Sequence, residues 1–135
     1  MDTITKTNQL SLSRGLISEP AFIIKLTDSN FGILEGSELL NRIESWISAN
    51  MMMNNKDVPL LIVNMENVDF VDSEGLQKLI ASLRLMQAQQ SNLLLCSLKP
   101  SVRILFEITR IDQLIGVFAN FEAAIAQFDM QLVAA

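Results

Sequence analysis

The fold is decided between Leu60 and Gln90, where the chain runs LLIVNMENVDFVDSEGLQKLIASLRLMQAQQ. Its first four residues are all apolar, which is typical of a strand that is covered on both faces of a parallel sheet. From Gly75 to about Gln89 the apolar residues recur at helical spacing, which predicts a helix. Ser73 therefore lies where a buried strand gives way to a helix, among N–H groups that the helix leaves unpaired. A covalent modification could be accommodated there without disturbing the core.

Strands and helices are predicted to alternate on both sides of this stretch. The predicted strands are 10–13, 21–26, 60–63, 93–98 and a short one within 111–118. The predicted helices are about 36–50, about 75–89, one that opens at 99–101 around Pro100, and one that begins near Phe121. This order predicts an α/β fold, a small sandwich with a mixed, mostly parallel sheet of four to five strands and about four helices.

Length and composition fit one domain. The chain has 135 residues, of which half are hydrophobic, so it can build a core of ordinary size. We expect residues 10–130 to form this domain, between a loose N-terminal tail at 1–9 and a C-terminal tail at 131–135. Residues 51–57 have no clear period, so they are predicted to be a mobile connection before Pro59.

The residue types exclude several classes of function. The net charge is −5 and the ten cationic residues are scattered, which argues against direct nucleic-acid binding. Absence of histidine excludes a Ser-His-Asp triad and most zinc sites. No apolar stretch approaches the ~20 residues that span a bilayer, and the single cysteine, Cys96, lies in an apolar run, as a buried thiol would. We therefore expect a cytoplasmic protein without catalytic activity, membrane insertion or cofactor.

Two segments resemble a known family. Val68–Leu76, with the sequence VDFVDSEGL, resembles a motif of the STAS domain, which sulfate transporters share with bacterial anti-sigma factor antagonists. Leu93–Phe106 follows at the family's usual distance and resembles its next strand and helix. The resemblance extends over about residues 8–130, and it is to the anti-sigma factor antagonist type.

The resemblance implies a function in partner switching. In the family, the serine that follows the aspartate of this motif is the regulatory phosphorylation site, and the matching residue here is Ser73. The unmodified protein would bind an anti-sigma factor that is also a serine kinase, so that a sigma factor is released for transcription. Phosphorylation would end the complex, and a PP2C-type phosphatase would reset it. The residues expected to meet the partner are Asp69, Asp72, Ser73, Glu74 and Gly75. Whether the chain forms a homodimer is left open.

Two departures from the family pattern keep other interpretations open. Glu74 stands where the family commonly has Ser or Thr, and Glu35 is only a loose counterpart of an acid in the turn before the first helix. Glu74 favours a STAS-like accessory or scaffold subunit that is never phosphorylated, for example in an ABC lipid-transport complex. A purely structural alternative is that Asp72 or Ser73 caps the helix and that Gly75 permits a tight turn.

Overall fold

The computed structural model describes residues 3–6, 21–52 and 59–126. The strands in these ranges are β1 (Thr3–Lys6), β2 (Phe22–Lys25), β3 (Asn30–Phe31), β4 (Leu61–Asn64), β5 (Phe70–Val71), β6 (Leu93–Cys96) and β7 (Gly116–Phe118). The helices are α1 (Ile33–Met52), α2 (Ser73–Ala88), α3 (Pro100–Ile108) and α4 (121–126), with a short 3₁₀ turn at Ile111–Gln113.

Five strands form the main sheet, in the order β1-β2-β4-β6-β7. The pairs β2–β4, β4–β6 and β6–β7 are parallel, and β1 is antiparallel to β2. In the centre, Leu61 pairs with Leu93 and Val63 pairs with Leu95. The strands β3 and β5 form a separate parallel pair. The predicted mixed and mostly parallel α/β sheet is thereby confirmed.

The central strands β4 and β6 are apolar except for Asn64 at the end of β4, because both faces of the sheet are covered. Leu61 and Leu95 belong to the larger core, which α1, α2 and α3 cover. Ile62 and Cys96 belong to a smaller cluster on the other face, together with Ile125 of α4. Burial raises the pKa of the Cys96 thiol above its ordinary value, so the thiol stays protonated.

The helices bury the faces that their periodicity predicts. Leu39, Ile43 and Ile47 of α1 are buried against α2, and Leu79 is fully buried on the α2 side. Trp46 is half-buried rather than central, and it packs on β2 at the edge of this core. Its ring lies edge-on to that of Phe22, with 4.8 Å between the ring centroids.

The structure differs from the predictions at several boundaries. Thr3–Lys6 is a strand rather than a loose tail, and its backbone pairs with the outer edge of β2. Helix α1 begins earlier than predicted and extends to Met52, so Met51 and Met52 are helical rather than part of a connection. The predicted strand at 10–13 and the predicted tail at 131–135 lie outside the described residues.

A leucine pair tests the location of this core. Leu79→Ala removes a fully buried side chain, so we expect a loss of about 2–5 kcal/mol in the free energy of unfolding. The matched change Leu34→Ala acts on a side chain that is 76% exposed, and it should stay within about 0.5 kcal/mol. Urea denaturation of both variants measures this difference, and equal losses would contradict the packing described here.

Candidate functional site

Helix α2 begins at a side-chain cap. Asp72 is the N-cap residue with an extended backbone, and its Oδ1 accepts a hydrogen bond from the Gly75 N–H at 2.8 Å. The Leu76 N–H donates to the Asp72 carbonyl oxygen at 3.0 Å, which is the first bond of the helix. The cap is therefore Asp72, and Ser73 is the first helical residue.

Ser73 and Glu74 are both exposed in this first turn. Within the described ranges, the Ser73 hydroxyl forms no hydrogen bond, because Asp72 already provides the cap. Of the two capping residues that the sequence left open, the structure selects the aspartate. The serine hydroxyl is consequently not needed to hold the helix start and is accessible to other molecules.

The small β3–β5 pair fixes the position of this helix start. The N–H groups of Asp69 and Phe70 both donate to the Ser29 carbonyl, at 2.7 and 3.0 Å. The Asp72 N–H donates to the Phe31 carbonyl oxygen at 3.3 Å. The backbone on both sides of β5 is thus tied to β3, and the cap residue is held directly by that strand.

Close backbone contacts explain why glycine occurs here. A Cβ atom on Gly75 would lie 2.1 Å from the Phe31 carbonyl oxygen, and one on Gly36 would lie 2.5 Å from the Lys78 Cβ. A Cβ on Gly32 would lie 2.8 Å from the Asp72 Oδ2. Gly75 lies inside α2, so the prediction that it permits a tight turn is corrected: it allows the helix to approach β3.

Glu35 caps the neighbouring helix. Its Oε1 accepts a hydrogen bond from the Gly32 N–H at 2.9 Å, which is one half of a capping box. The Gly36 N–H donates to the Gly32 carbonyl at 2.8 Å and begins α1. Since a Cβ on Gly32 would lie only 2.8 Å from the Asp72 Oδ2, the starts of α1 and α2 are close together.

Asp69 stands apart from the other predicted site residues. Its Oδ1 forms an ion pair with Lys99 Nζ at 2.5 Å, and both side chains are partly exposed. An exposed pair of this kind contributes little to stability. It links the loop before β5 to the start of α3, whereas Asp72, Ser73, Glu74 and Gly75 lie together at the start of α2.

Three exposed apolar side chains on α1 and β5 were not predicted as site residues. Ile33 and Leu34 open α1, and Phe70 of β5 is 69% exposed. Exposed apolar groups that lie together beside polar ones are typical of protein contact surfaces. Phe70 and Val71 are both apolar, and a two-residue strand is too short to show a period, so the sequence contains no signal that Phe70 is exposed.

The electrostatic character of the helix start is acidic. Asp72 and Glu74 are exposed carboxylates at the positive end of α2. No ion pair involves either of them among the described residues. The same part of the chain contains no group of three or more side chains suited to hold a metal ion. Nor does it contain a helix long and apolar enough to cross a membrane.

The fold and the site define a class: a small α/β domain that presents the start of one helix at its surface. A model of the STAS domain family matches residues 33–124, and the chain belongs to this family. The resemblance seen in Val68–Leu76 and Leu93–Phe106 is thereby confirmed.

The chain is similar to a named bacterial protein in sequence and to solved structures in fold. BtrV of Bordetella bronchiseptica, whose name assigns it provisionally as an anti-sigma factor antagonist, is 32% identical over 72 residues. That match covers 53% of this chain and 62% of BtrV, so the chain spans less than two thirds of this relative's length. The structure of the phosphorylated form of the Bacillus cell fate determinant SpoIIAA is 17% identical, with a TM-score of 0.56. It covers 93% of this chain and 99% of SpoIIAA.

A transporter shares the fold as well. The structure of murine Solute Carrier 26 family member A9, an anion transporter, is 16% identical with a TM-score of 0.63. The likeness covers 82% of this chain but only 18% of the transporter. At such identities the structural likenesses show a common fold.

The Gly75 contact gives a first prediction for the site. We expect Gly75→Ala to lower the free energy of unfolding by more than about 2 kcal/mol, because a clash with backbone outweighs the gain of about 1 kcal/mol in helix propensity. Gly116→Ala is the matched control, since its Cβ would meet only side-chain ends, on Phe118 at 2.9 Å and Leu94 at 3.0 Å. Chemical denaturation compares the two, and a larger loss for Gly116→Ala would contradict this role of Gly75.

The cap gives a second prediction. Asp72→Ala should lower the free energy of unfolding by about 1 kcal/mol, because the Gly75 N–H loses its acceptor. Ser73→Ala should change it by less than about 0.5 kcal/mol, since Ser73 is exposed and outside the cap. Thermal or urea denaturation measures both, and a reversed order would make the serine the capping residue.

Proposed function

We propose that this protein is an anti-sigma factor antagonist that is switched by phosphorylation of Ser73. In its unmodified form it binds an anti-sigma factor that is also a serine kinase, and transfer of phosphate from ATP to Ser73 ends the complex. A PP2C-type phosphatase restores the binding form. The chain acts in the cytoplasm as substrate and binding protein and catalyses no reaction itself.

One observation carries this proposal. Asp72 provides the cap of α2, so the exposed Ser73 hydroxyl is not needed to stabilise the helix start. A modification of Ser73 therefore leaves the hydrogen bonds of the fold intact. Membership of the STAS family and the names of BtrV and SpoIIAA support the assignment. SpoIIAA is itself known in a phosphorylated form.

The chemistry of the helix start explains how a phosphate would act. A phosphoserine carries about −1.5 to −2 charges at pH 7. The N–H groups and the dipole of α2 tolerate this anion, so the domain would stay folded. A partner in close contact would have to desolvate the dianion beside the carboxylates of Asp72 and Glu74. The phosphate therefore weakens the complex and not the fold.

The exposed apolar residues would form the part of the surface that the partner buries. Ile33 at the start of α1 and Phe70 of β5 are exposed on the elements that flank the start of α2, and they would be covered in the complex. Burial of such side chains contributes about 25 cal/mol for each Å² of apolar area. In this complex the apolar contacts supply affinity, and the charge on Ser73 decides whether they can form.

A second function is favoured by one residue. Glu74 is exposed directly beside Ser73, where its carboxylate could hinder recognition by a kinase. In this alternative, the protein is a STAS accessory or scaffold subunit that is never phosphorylated, for example in an ABC lipid-transport complex. The likeness to an anion transporter agrees with a role of this fold outside partner switching.

The modification state of Ser73 separates the two functions. We would isolate the protein from its own cells under several growth and stress conditions and measure intact mass and peptide masses, with and without phosphatase. The switch predicts a phosphatase-sensitive gain of one phosphate on the peptide that contains Ser73. Unmodified Ser73 under all conditions would overturn the switch and support the scaffold.

A charge substitution tests the effect on binding. Ser73→Asp should weaken binding to the anti-sigma factor that co-purifies with the unmodified protein by about tenfold or more, which is about 1.4 kcal/mol. The melting temperature should stay nearly unchanged, because the helix start tolerates an anion. Isothermal titration calorimetry and thermal denaturation give the two values.

The matched control is Ser48→Asp, which makes the same change at an exposed position of α1. It should leave the affinity within about twofold of the unmodified protein, since surface charges at a distance are screened by salt. Equal affinities of Ser73→Asp and the parent protein would count against the proposed switch.

A further inference from the structure

We propose that the partner which contacts Ser73 also covers the outer face of α3. Its binding surface then extends from the start of α2, across Phe70, to Ile104 and Ile108. This inference rests on the proposed function, because it concerns the same partner. It adds a second anchor that is separate from the phosphorylation site.

The first observation is an unpartnered apolar face on α3. Val102 and Phe106 turn inward and are buried in the main core. Ile104 and Ile108 lie one helical turn apart on the opposite side, and they are 54% and 74% exposed. The fold already has its inward anchors on this nine-residue helix, so these two isoleucines are not required for packing.

The second observation is continuity with the start of α2. Lys99 is the N-cap residue of α3, and its ion pair with Asp69 joins this helix to the loop before β5. Phe70 follows Asp69 directly and is exposed. Ile104 is five residues beyond Lys99, which is about 7.5 Å along a helix. Helix α3 lies in contact with β5, so Phe70 and Ile104 belong to two elements that meet at this junction.

The third observation is the distribution of charge along this surface. Beside the isoleucines, Arg103 Nε lies 3.5 Å from Glu107 Oε2, so the charges on that flank are paired within the chain. At the other end, the exposed carboxylates of Asp72 and Glu74 form no ion pair among the described residues. The surface thus fits a partner that is apolar opposite α3 and cationic opposite the start of α2.

This charge pattern disfavours a second copy of the chain as the occupant. The protein has a net charge of −5, and a copy laid over this surface brings its own acidic helix start into the contact region. Like charges that meet in an interface lower the affinity. A partner with an apolar patch opposite α3 and a cationic group opposite the start of α2 satisfies both ends of the surface.

The experiment uses the anti-sigma factor that co-purifies with the unmodified protein as the probe. Ile108→Ser and Ile104→Ser should each weaken its binding by about tenfold or more, the effect of removing an anchor from an interface. Leu114→Ser is the matched control, because Leu114 is also exposed (57%) but lies beyond the end of α3. It should change the affinity by less than about twofold. Calorimetry gives the affinities, and thermal denaturation confirms that the exposed positions leave the fold intact.

The outcomes separate this inference from the function on which it rests. If Ser73→Asp weakens binding but both isoleucine variants bind like the parent protein, the extended surface is wrong and the switch stands. If neither Ser73→Asp nor the isoleucine variants change the affinity, both proposals fail. If Ile108→Ser instead abolishes a dimer seen by analytical ultracentrifugation, the face joins two copies and the inference is overturned.

Discussion

The structure depends on the close approach of α2 to the backbone of β3. At Gly75 the helix lies so near the Phe31 carbonyl that a single methyl group would overlap it. This approach brings the first turn of α2 beside the first turn of α1, where Gly36 meets the Lys78 side chain. Without it, the Asp72 N–H could not donate to the Phe31 carbonyl of β3 while the Asp72 carboxylate caps the helix. Glycine is thus required at position 75 because the Phe31 carbonyl lies so close to it, and not because the backbone has an unusual conformation there.

Because of the same approach, Asp72 caps α2 and the neighbouring Ser73 does not. Asp72 is held from both sides, by its own N–H on Phe31 and by its carboxylate on Gly75. A serine can also cap a helix, and modification of such a serine would change the group that accepts the first-turn hydrogen bond. Because Asp72 is the N-cap residue, Ser73 is not needed to cap the helix. With this arrangement, a modification of the exposed Ser73 hydroxyl would leave the packing of the core unchanged.

The parts of the fold with long, strong patterns were predictable from the sequence. The apolar runs at 60–63 and 93–96 indicate strands covered on two faces, and the spacing of Leu76, Leu79 and Leu83 indicates the buried face of α2. The β3–β5 pair was not predicted, because two residues cannot show a period and their pairing is set by tertiary contacts. Polar Thr3–Lys6 was missed for a related reason, since an edge strand is stabilised by its neighbour's backbone.

The candidate site was predictable in part. Its chain position followed from the motif at Val68–Leu76, but the division of labour between Asp72 and Ser73 required the hydrogen bonds of the structure. The role of Gly75 required the position of Phe31, which is distant in the chain. Exposed Phe70 was also invisible in the sequence, because an apolar residue beside a buried strand is normally expected inside.

Glu74 is the residue that most constrains how a switch could operate. Its carboxylate already lies in the first turn of α2, where the helix dipole favours an anion. A partner that binds the unmodified protein must therefore tolerate one exposed negative charge beside the contact. Phosphorylation then has to act through the additional charge and the bulk of three oxygens, and not through the first appearance of an anion. Such a partner needs a cation close enough to pair with Glu74. It must also pack around Ser73 so tightly that no room is left for a phosphate. Discrimination at this site thus rests on the added charge at Ser73 and the cost of removing water from it, together with the steric fit around Ser73.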